Sequence, residues 1–223
     1  MTSSRLSSIL SYMQSFGFTS SELTVFKKLN TPQKIQDFLN SIPSNYEETC
    51  RSPRKVLEVG KAQCVEGALF AAAALRVHGE KPLLVDLVTT ADDQDHVLAV
   101  FKKYNHWGAI TKTNHPVLRY REPIYRSIHE LVLSYFHEYF LDSGKKTLRT
   151  YSNPFNLTQF DSIHWMTTEE DVWDIPAALD DSPHHAILTP AMTKNLRKAD
   201  PIEREATKIT EWPEGTQHKP RIT

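Results

Sequence analysis

The stretch Gln63-Cys64-Val65-Glu66-Gly67-Ala68-Leu69-Phe70-Ala71-Ala72-Ala73-Ala74-Leu75 decides the fold. From Cys64 onward it is nearly all small or apolar, and Gly79 follows His78 as a helix-ending residue. The pattern predicts a helix that opens at Cys64. A helix apolar on every side is a buried one, and its alanines let it approach a sheet closely. Gly60 lies in the loop that leads into it. Cys64 therefore sits at a helix N-terminus, where the dipole and free N–H groups favour a thiolate. The same N–H groups can receive a developing oxyanion, so the Cys64 backbone, helped by Gln63, is the candidate oxyanion hole.

Working outward from that helix, Leu83-Leu84-Val85-Asp86-Leu87-Val88 reads as a strand. An acidic loop, Ala91-Asp92-Asp93-Gln94-Asp95, separates it from a second strand over 96–103 that opens with His96. Asn105 is a good turn former, and 107–113 returns as a third strand. A hairpin folded symmetrically about Asn105 pairs residues whose numbers sum to 210. His96 then faces Asn114 on one side of the sheet, whereas a slip of one residue puts Thr113 or His115 there. His96 is the candidate base for Cys64, and Asn114 the candidate group that orients it.

The order of helix-opening Cys, strand, strand-opening His and a polar residue ending the next strand resembles the transglutaminase-like superfamily, which shares the papain-like core. The residues carrying the resemblance are Gln63-Cys64 before the Ala-rich helix, the His96 strand, and Trp107 before Asn114, within roughly residues 55–115. The resemblance implies an α+β fold with an antiparallel sheet packed on the buried helix. It also implies a thiol-dependent acyl transfer at an amide or ester carbonyl, through a thioester and without a cofactor. The family usually carries Asp at the third position, where this chain offers Asn114 and papain-like proteases use Asn. A binding or scaffold module with an inert Cys64 is the alternative. The expected partner is a small-molecule, peptide or protein acyl donor, with Trp107, Arg119 and Arg121 as candidate substrate-binding residues.

The rest of the chain is read around this core. Leu6, Ile9, Leu10, Met13 and Phe16 predict a helix over 5–16, and Thr31-Pro32 opens another. Residues 42–63 read as loop, punctuated by Pro43 and Pro53. Ile124, Ile128, Leu131, Val132, Tyr135, Phe136 and Tyr139 predict a helix over 123–140. Thr167 or Thr168, before Glu169-Glu170-Asp171, marks a further helix start. The expected organisation is one domain over 1–223: helices in 1–54, a Cys/His core in 55–115, an elaboration in 116–190, and a tail or wrapping arm in 191–223.

Composition narrows the function classes. The chain has 223 residues, 39% hydrophobic and 24% charged, with a net charge of -1. That balance gives no basic stripe for nucleic acid and no polybasic segment for a membrane surface. Ser7, Ser8 and Ser11 interrupt any apolar leader, so the expected address is the cytoplasm. Two cysteines, Cys50 and Cys64, are too few for a disulfide scaffold or a Cys-rich zinc site.

Plainer readings stand beside the chemical ones. Cys64 on an apolar helix could be core, since cysteine is among the most buried residues. Asp92, Asp93, Asp95 and His96 could hold a hard cation, although EF-hand spacing is absent. His184-His185 reads as surface. Arg119, Arg121 and Arg126 could form salt bridges with Glu122 and Glu130 instead of receiving a ligand, and Glu66 could partner one of them.

Overall fold

The computed structural model describes residues 13–212. Within them the Cys64 helix forms as the sequence dictates. It spans Cys64–Val77 (α4), ends at His78, and passes into Gly79 at φ 86°, a left-handed position that suits glycine. Every residue from Val65 to Val77 is buried. Three shorter helices precede it: α1 (Ser20–Lys28), α2 (Pro32–Ser41) and α3 (Pro53–Val59). Thr19, Thr31 and Ser52 cap them with their side-chain oxygens, each satisfying an otherwise orphaned N–H.

The strands β1 (Leu83–Val88), β2 (His96–Lys103), β3 (His106–Ile110), β4 (Arg121–Tyr125), β5 (Thr150–Ser152), β6 (Phe155–Asn156) and β7 (His184–Ala186) make one sheet. Its order is β4-β3-β2-β1-β5-β7, with β6 also on β1, and every pairing is antiparallel. Alternation along the strands sorts the core in two. Leu84, Val97, Ala99, Phe101 and Ile110 join the cluster that contains α4 and the helices before it. Phe70 is stacked between Phe26 and Phe38 in that layer, at centroid distances of 5.1 and 4.7 Å. Val85, Leu87, Leu98, Val100 and Ala109 cluster instead with α5 (Ile128–Phe136). The α+β class and the antiparallel arrangement of the first three strands match the sequence reading.

Elsewhere the reading is corrected. The expected helix over 123–140 begins only at Ile128, because 121–125 is the edge strand β4 and Ile124 points outward, 67% exposed. Pro123 is tolerated there because an edge strand can spare one N–H. The supposed loop 42–63 contains α3, opened by Ser52-Pro53. Thr167 and Thr168 start no helix; the next one is α6 (Asp174–Asp180). Of the expected helix 5–16, residues 13–15 are helical and 1–12 lie outside the described residues. Two short helices, α7 (Pro190–Lys194) and α8 (Pro201–Thr207), follow in the C-terminal part. From there the chain returns to the hairpin, where Glu211 N donates to Asn114 O at 2.8 Å. No helix among the described residues is long and apolar enough to cross a membrane.

Candidate active site

The N-terminus of α4 is held by one carboxylate. Glu66 is fully buried and accepts from Gln63 N (2.9 Å), Arg51 N (3.0 Å), Thr49 Oγ1 (2.7 Å) and Asn45 Nδ2 (3.0 Å). Its partners are thus the loop 45–51 and the helix's own entry, not Arg119, Arg121 or Arg126. Hydrogen bonds to a buried charge are strong, so the loop and the start of α4 form one unit. Gln63 adds a side-chain bond to the Thr49 carbonyl.

Cys64 therefore sits on a fixed platform. It is partly exposed and lines a cavity of about 330 Å³ together with Gln63, His96, Lys112, Asn114 and Tyr139. Cavities of about 460 and 620 Å³ lie elsewhere, but neither brings a thiol together with an imidazole. Burial pushes the Cys64 thiol above its usual range, the Asp86 carboxylate adds to this, and the N–H groups of Val97 and Val65 pull the other way. The helix dipole does not prevail over desolvation, so the thiol rests neutral.

His96 is 6% exposed at the start of β2, and burial pulls its imidazole down to about 4. The ring is neutral near pH 7. Its Nε2 is hydrogen-bonded to Thr111 Oγ1. Thr111 is itself pinned by Gln36 of α2: Thr111 N donates to Gln36 Oε1 (3.0 Å), and Gln36 Nε2 donates to Thr111 O (2.8 Å). His96 Nδ1 has no hydrogen-bond partner among the described residues, and no hydrogen bond joins it to Cys64. Both residues nevertheless line the one cavity.

Asn114 does not hold His96. The hairpin turn contains two residues, Tyr104 and Asn105, at φ 53° and 60°. Both lie in the left-handed region that tight two-residue hairpins require. Lys103 therefore pairs with His106 and Ala99 with Ile110, so partner numbers sum to 209 rather than 210. Asn114 Nδ2 donates instead to Tyr46 Oη at 2.6 Å. The alternatives Thr113 and His115 are also engaged elsewhere, Thr113 Oγ1 accepting from His115 N and His115 Nδ1 meeting Thr207 O. Carrying the observed register past Ile110 sets Thr111 opposite Leu98, diagonal to His96 on the same face, a spacing long side chains span. The register was the signal that could have found Thr111.

The three proposed substrate contacts lie off this cavity. Trp107 pairs with Lys102 near the turn and receives its ammonium 5.3 Å from the ring centroid. Arg119 bonds Glu211 (2.7 Å) and His115 O. Arg121 bonds Glu138 (2.6 Å) and Ser134 Oγ and lies 4.1 Å over the Tyr135 ring. Arg126 meets Glu130 only through its backbone N–H. The acidic loop is also dispersed: Asp92 pairs with Lys145, Asp93 accepts from Thr147, and Asp95 from Thr89. The described residues hold no group of three potential metal ligands.

A pair that sequence reasoning missed lies nearby. Asp86, 1% exposed in β1, meets His184 Nε2 at 3.3 Å. Burial lifts its carboxyl to about 6 despite that contact. A lone Asp inside an apolar strand was the available signal, and its partner is almost a hundred residues away in β7.

No protein-family model matches the chain, and no curated protein matches it.

Proposed function

We propose that this protein is a thiol-dependent acyl-transfer enzyme in which Cys64 attacks an amide or ester carbonyl and His96 moves the proton. The observation that carries this reading is the state of His96: Nε2 is tied to Thr111, Nδ1 has no hydrogen-bond partner among the described residues, and the residue lines the same cavity as Cys64. With the Thr111 hydroxyl as acceptor, Nε2 keeps its hydrogen and Nδ1 is the free base. Thr111 takes the positioning role that the sequence reading gave to Asn114.

The resting pair is a neutral thiol and a neutral imidazole. As sulfur bonds to the carbonyl carbon, His96 Nδ1 takes the thiol proton. The carbonyl oxygen becomes an oxyanion, received by the Cys64 backbone N–H at the start of α4. Collapse expels the amine or alcohol, which takes that proton from His96, and leaves a thioester on Cys64. Water or an amine then attacks the thioester and regenerates the thiol. The resemblance to transglutaminase-like proteins agrees with this sequence of steps.

A second reading is an inert binding module. It is favoured by the missing hydrogen bond between Cys64 and His96 and by the burial that keeps the thiol protonated. One experiment separates the two. Native protein is treated with 4-nitrophenyl acetate, and acetylation is mapped by mass spectrometry. The enzyme reading expects acetyl-Cys64, at least about tenfold slower in His96→Ala, as loss of a general base dictates. Thr111→Val should slow it less. Cys50 should stay unmodified until the protein is unfolded. Equal slow labelling of both thiols, unchanged in His96→Ala, would establish the inert module.

A further inference from the structure

Lys112 is the one lysine among the described residues that line the cavity, and its side chain is buried. It is 2% exposed, and its Nζ donates to Ile42 O at 2.7 Å. It makes no ion pair with a described residue. An ammonium has three donors, and this one uses a single hydrogen bond to an uncharged carbonyl. The carboxylate that acts on it from nearby is Glu211, already bound to Arg119 at 2.7 Å. Burial draws its affinity for a proton down to about 8, which still leaves it mainly charged at neutral pH.

The chain is shaped to keep this side chain in place. A Cβ added at Gly67 of α4 would lie 2.3 Å from Lys112 Cβ, so the lysine stem runs directly across the helix at a position with no side chain. A plain structural role would be to cap Ile42, the residue that ends α2, and a lysine near a helix C-terminus does that well. Capping needs one hydrogen bond from an exposed lysine. It does not account for a desolvated ammonium on a residue that lines the cavity holding Cys64 and His96.

We propose that the acyl donor carries a carboxylate, received by Lys112 while its scissile carbonyl lies at Cys64. This rests on Cys64 being the reacting group. A carboxylate completes the donors that Ile42 leaves over and supplies the missing counter-charge. The substrate class is then an anionic amide or ester, either a small diacid derivative or a peptide with a free carboxyl terminus.

The test compares two alkylating reagents that differ in charge, iodoacetate and iodoacetamide, at Cys64 of the full chain. The rate ratio, iodoacetate over iodoacetamide, is referred to that of N-acetylcysteine amide. One charge-assisted bond should raise the ratio about tenfold above the free thiol. Lys112→Met should return it to within about twofold of the free thiol. A wild-type ratio at or below the free thiol overturns the proposal. Should Lys112→Met fail to fold, protection of wild-type Cys64 from iodoacetamide replaces it. Protection by succinate identifies a small diacid, and protection by an N-acetyl dipeptide acid, lost on amidation, identifies a peptide terminus. Protection by neither overturns the proposal. Charge preference without acetyl transfer would leave a carboxylate site at Lys112 but sink the enzyme reading and, with it, the acyl donor; acetyl transfer without charge preference would sink this proposal alone.

Discussion

Cys50 and Cys64 lie on the two sides of Glu66, one in the loop that its carboxylate gathers and one at the helix start that it fixes. Cys50 is fully buried, its backbone carbonyl accepting from Val172 N at 2.8 Å, and burial pushes its thiol up to about 12, with Glu66 and Asp171 adding to the rise. Cys64 is partly exposed and faces a cavity beside a neutral histidine. Both thiols are held protonated by the same cause, desolvation. What separates them is access and a neighbouring base. On the proposed mechanism, chemistry at Cys64 would begin with a proton transfer and not with a preformed thiolate, whereas Cys50 has neither route.

Removing the shared carboxylate should break this contrast most severely. In Glu66→Ala, Asn45, Thr49, and the N–H groups of Arg51 and Gln63 lose their acceptor. At ~1.5–3 kcal/mol for a hydrogen bond to a charge, and with the four not additive, the loss should be at least about 3 kcal/mol. Denaturant unfolding would measure it. Native-state labelling of Cys50 should rise with it. A stability loss below about 1 kcal/mol would mean that the loop is held by packing alone.

A second change sharpens the contrast through pH, because Asp86 and His96 titrate abnormally on the Cys64 side. The folded His96, near 4, lies below its ordinary 6.5. The unfolded chain therefore takes the proton first, and this contribution to stability is present above pH 6.5 and lost as pH falls toward 4. Folded Asp86, near 6, lies above its ordinary 3.8. The folded state takes that proton first, so its contribution grows as pH falls from 6 to 3.8. The two oppose one another, each spanning roughly two pH units at about 1.4 kcal/mol per unit. Relative to wild type, Asp86→Asn should lose on the order of 2–3 kcal/mol between pH 6.5 and 4, and His96→Gln should gain a similar amount. Urea midpoints across that range provide the check, and parallel curves for all three proteins would remove both groups from the account.

The smallest effect belongs to Gly67→Ala. Its new methyl would meet Lys112 Cβ at 2.3 Å. Overpacking of about 1–3 kcal/mol is set against a helix-propensity gain of about 1 kcal/mol, leaving a net loss of about 0–2 kcal/mol. Thermal unfolding would show it. The acetylation of Cys64 should change while Cys50 stays protected; a more stable variant would show that Lys112 can move aside freely.

The parts of the fold legible in the sequence were those with a simple period. Helix α4, the strands β1 to β3, and the joint placing of Cys64 and His96 on one cavity came from apolar runs and their order. The third member did not, because register depends on the turn. Asn105 signalled a turn, but nothing in Tyr104 announced a second left-handed residue, and one residue of slip moved Asn114 away from His96. Ser52-Pro53 is the cap and first helical position of α3, but the sequence reading takes Pro53 only as loop punctuation. Ile124 fitted a helical spacing by coincidence. From about 141 onward the strands and helices are short, and single bonds such as Arg54 Nη1 to Thr167 O and Ser52 Oγ to Thr168 O, which leave no periodic trace, help to hold the chain.

Gln36 has a consequence beyond the histidine it steadies. Beyond Ala109, β3 has no further pairing with β4, so the N–H and C=O of Thr111 would form an open edge. Such an edge is a template for another chain, and intermolecular sheet growth starts there. The Gln36 amide fills both positions, donating to the carbonyl and accepting from the N–H as a neighbouring strand would. One side chain thus acts as a strand of unit length. It closes the edge at the residue whose hydroxyl meets His96.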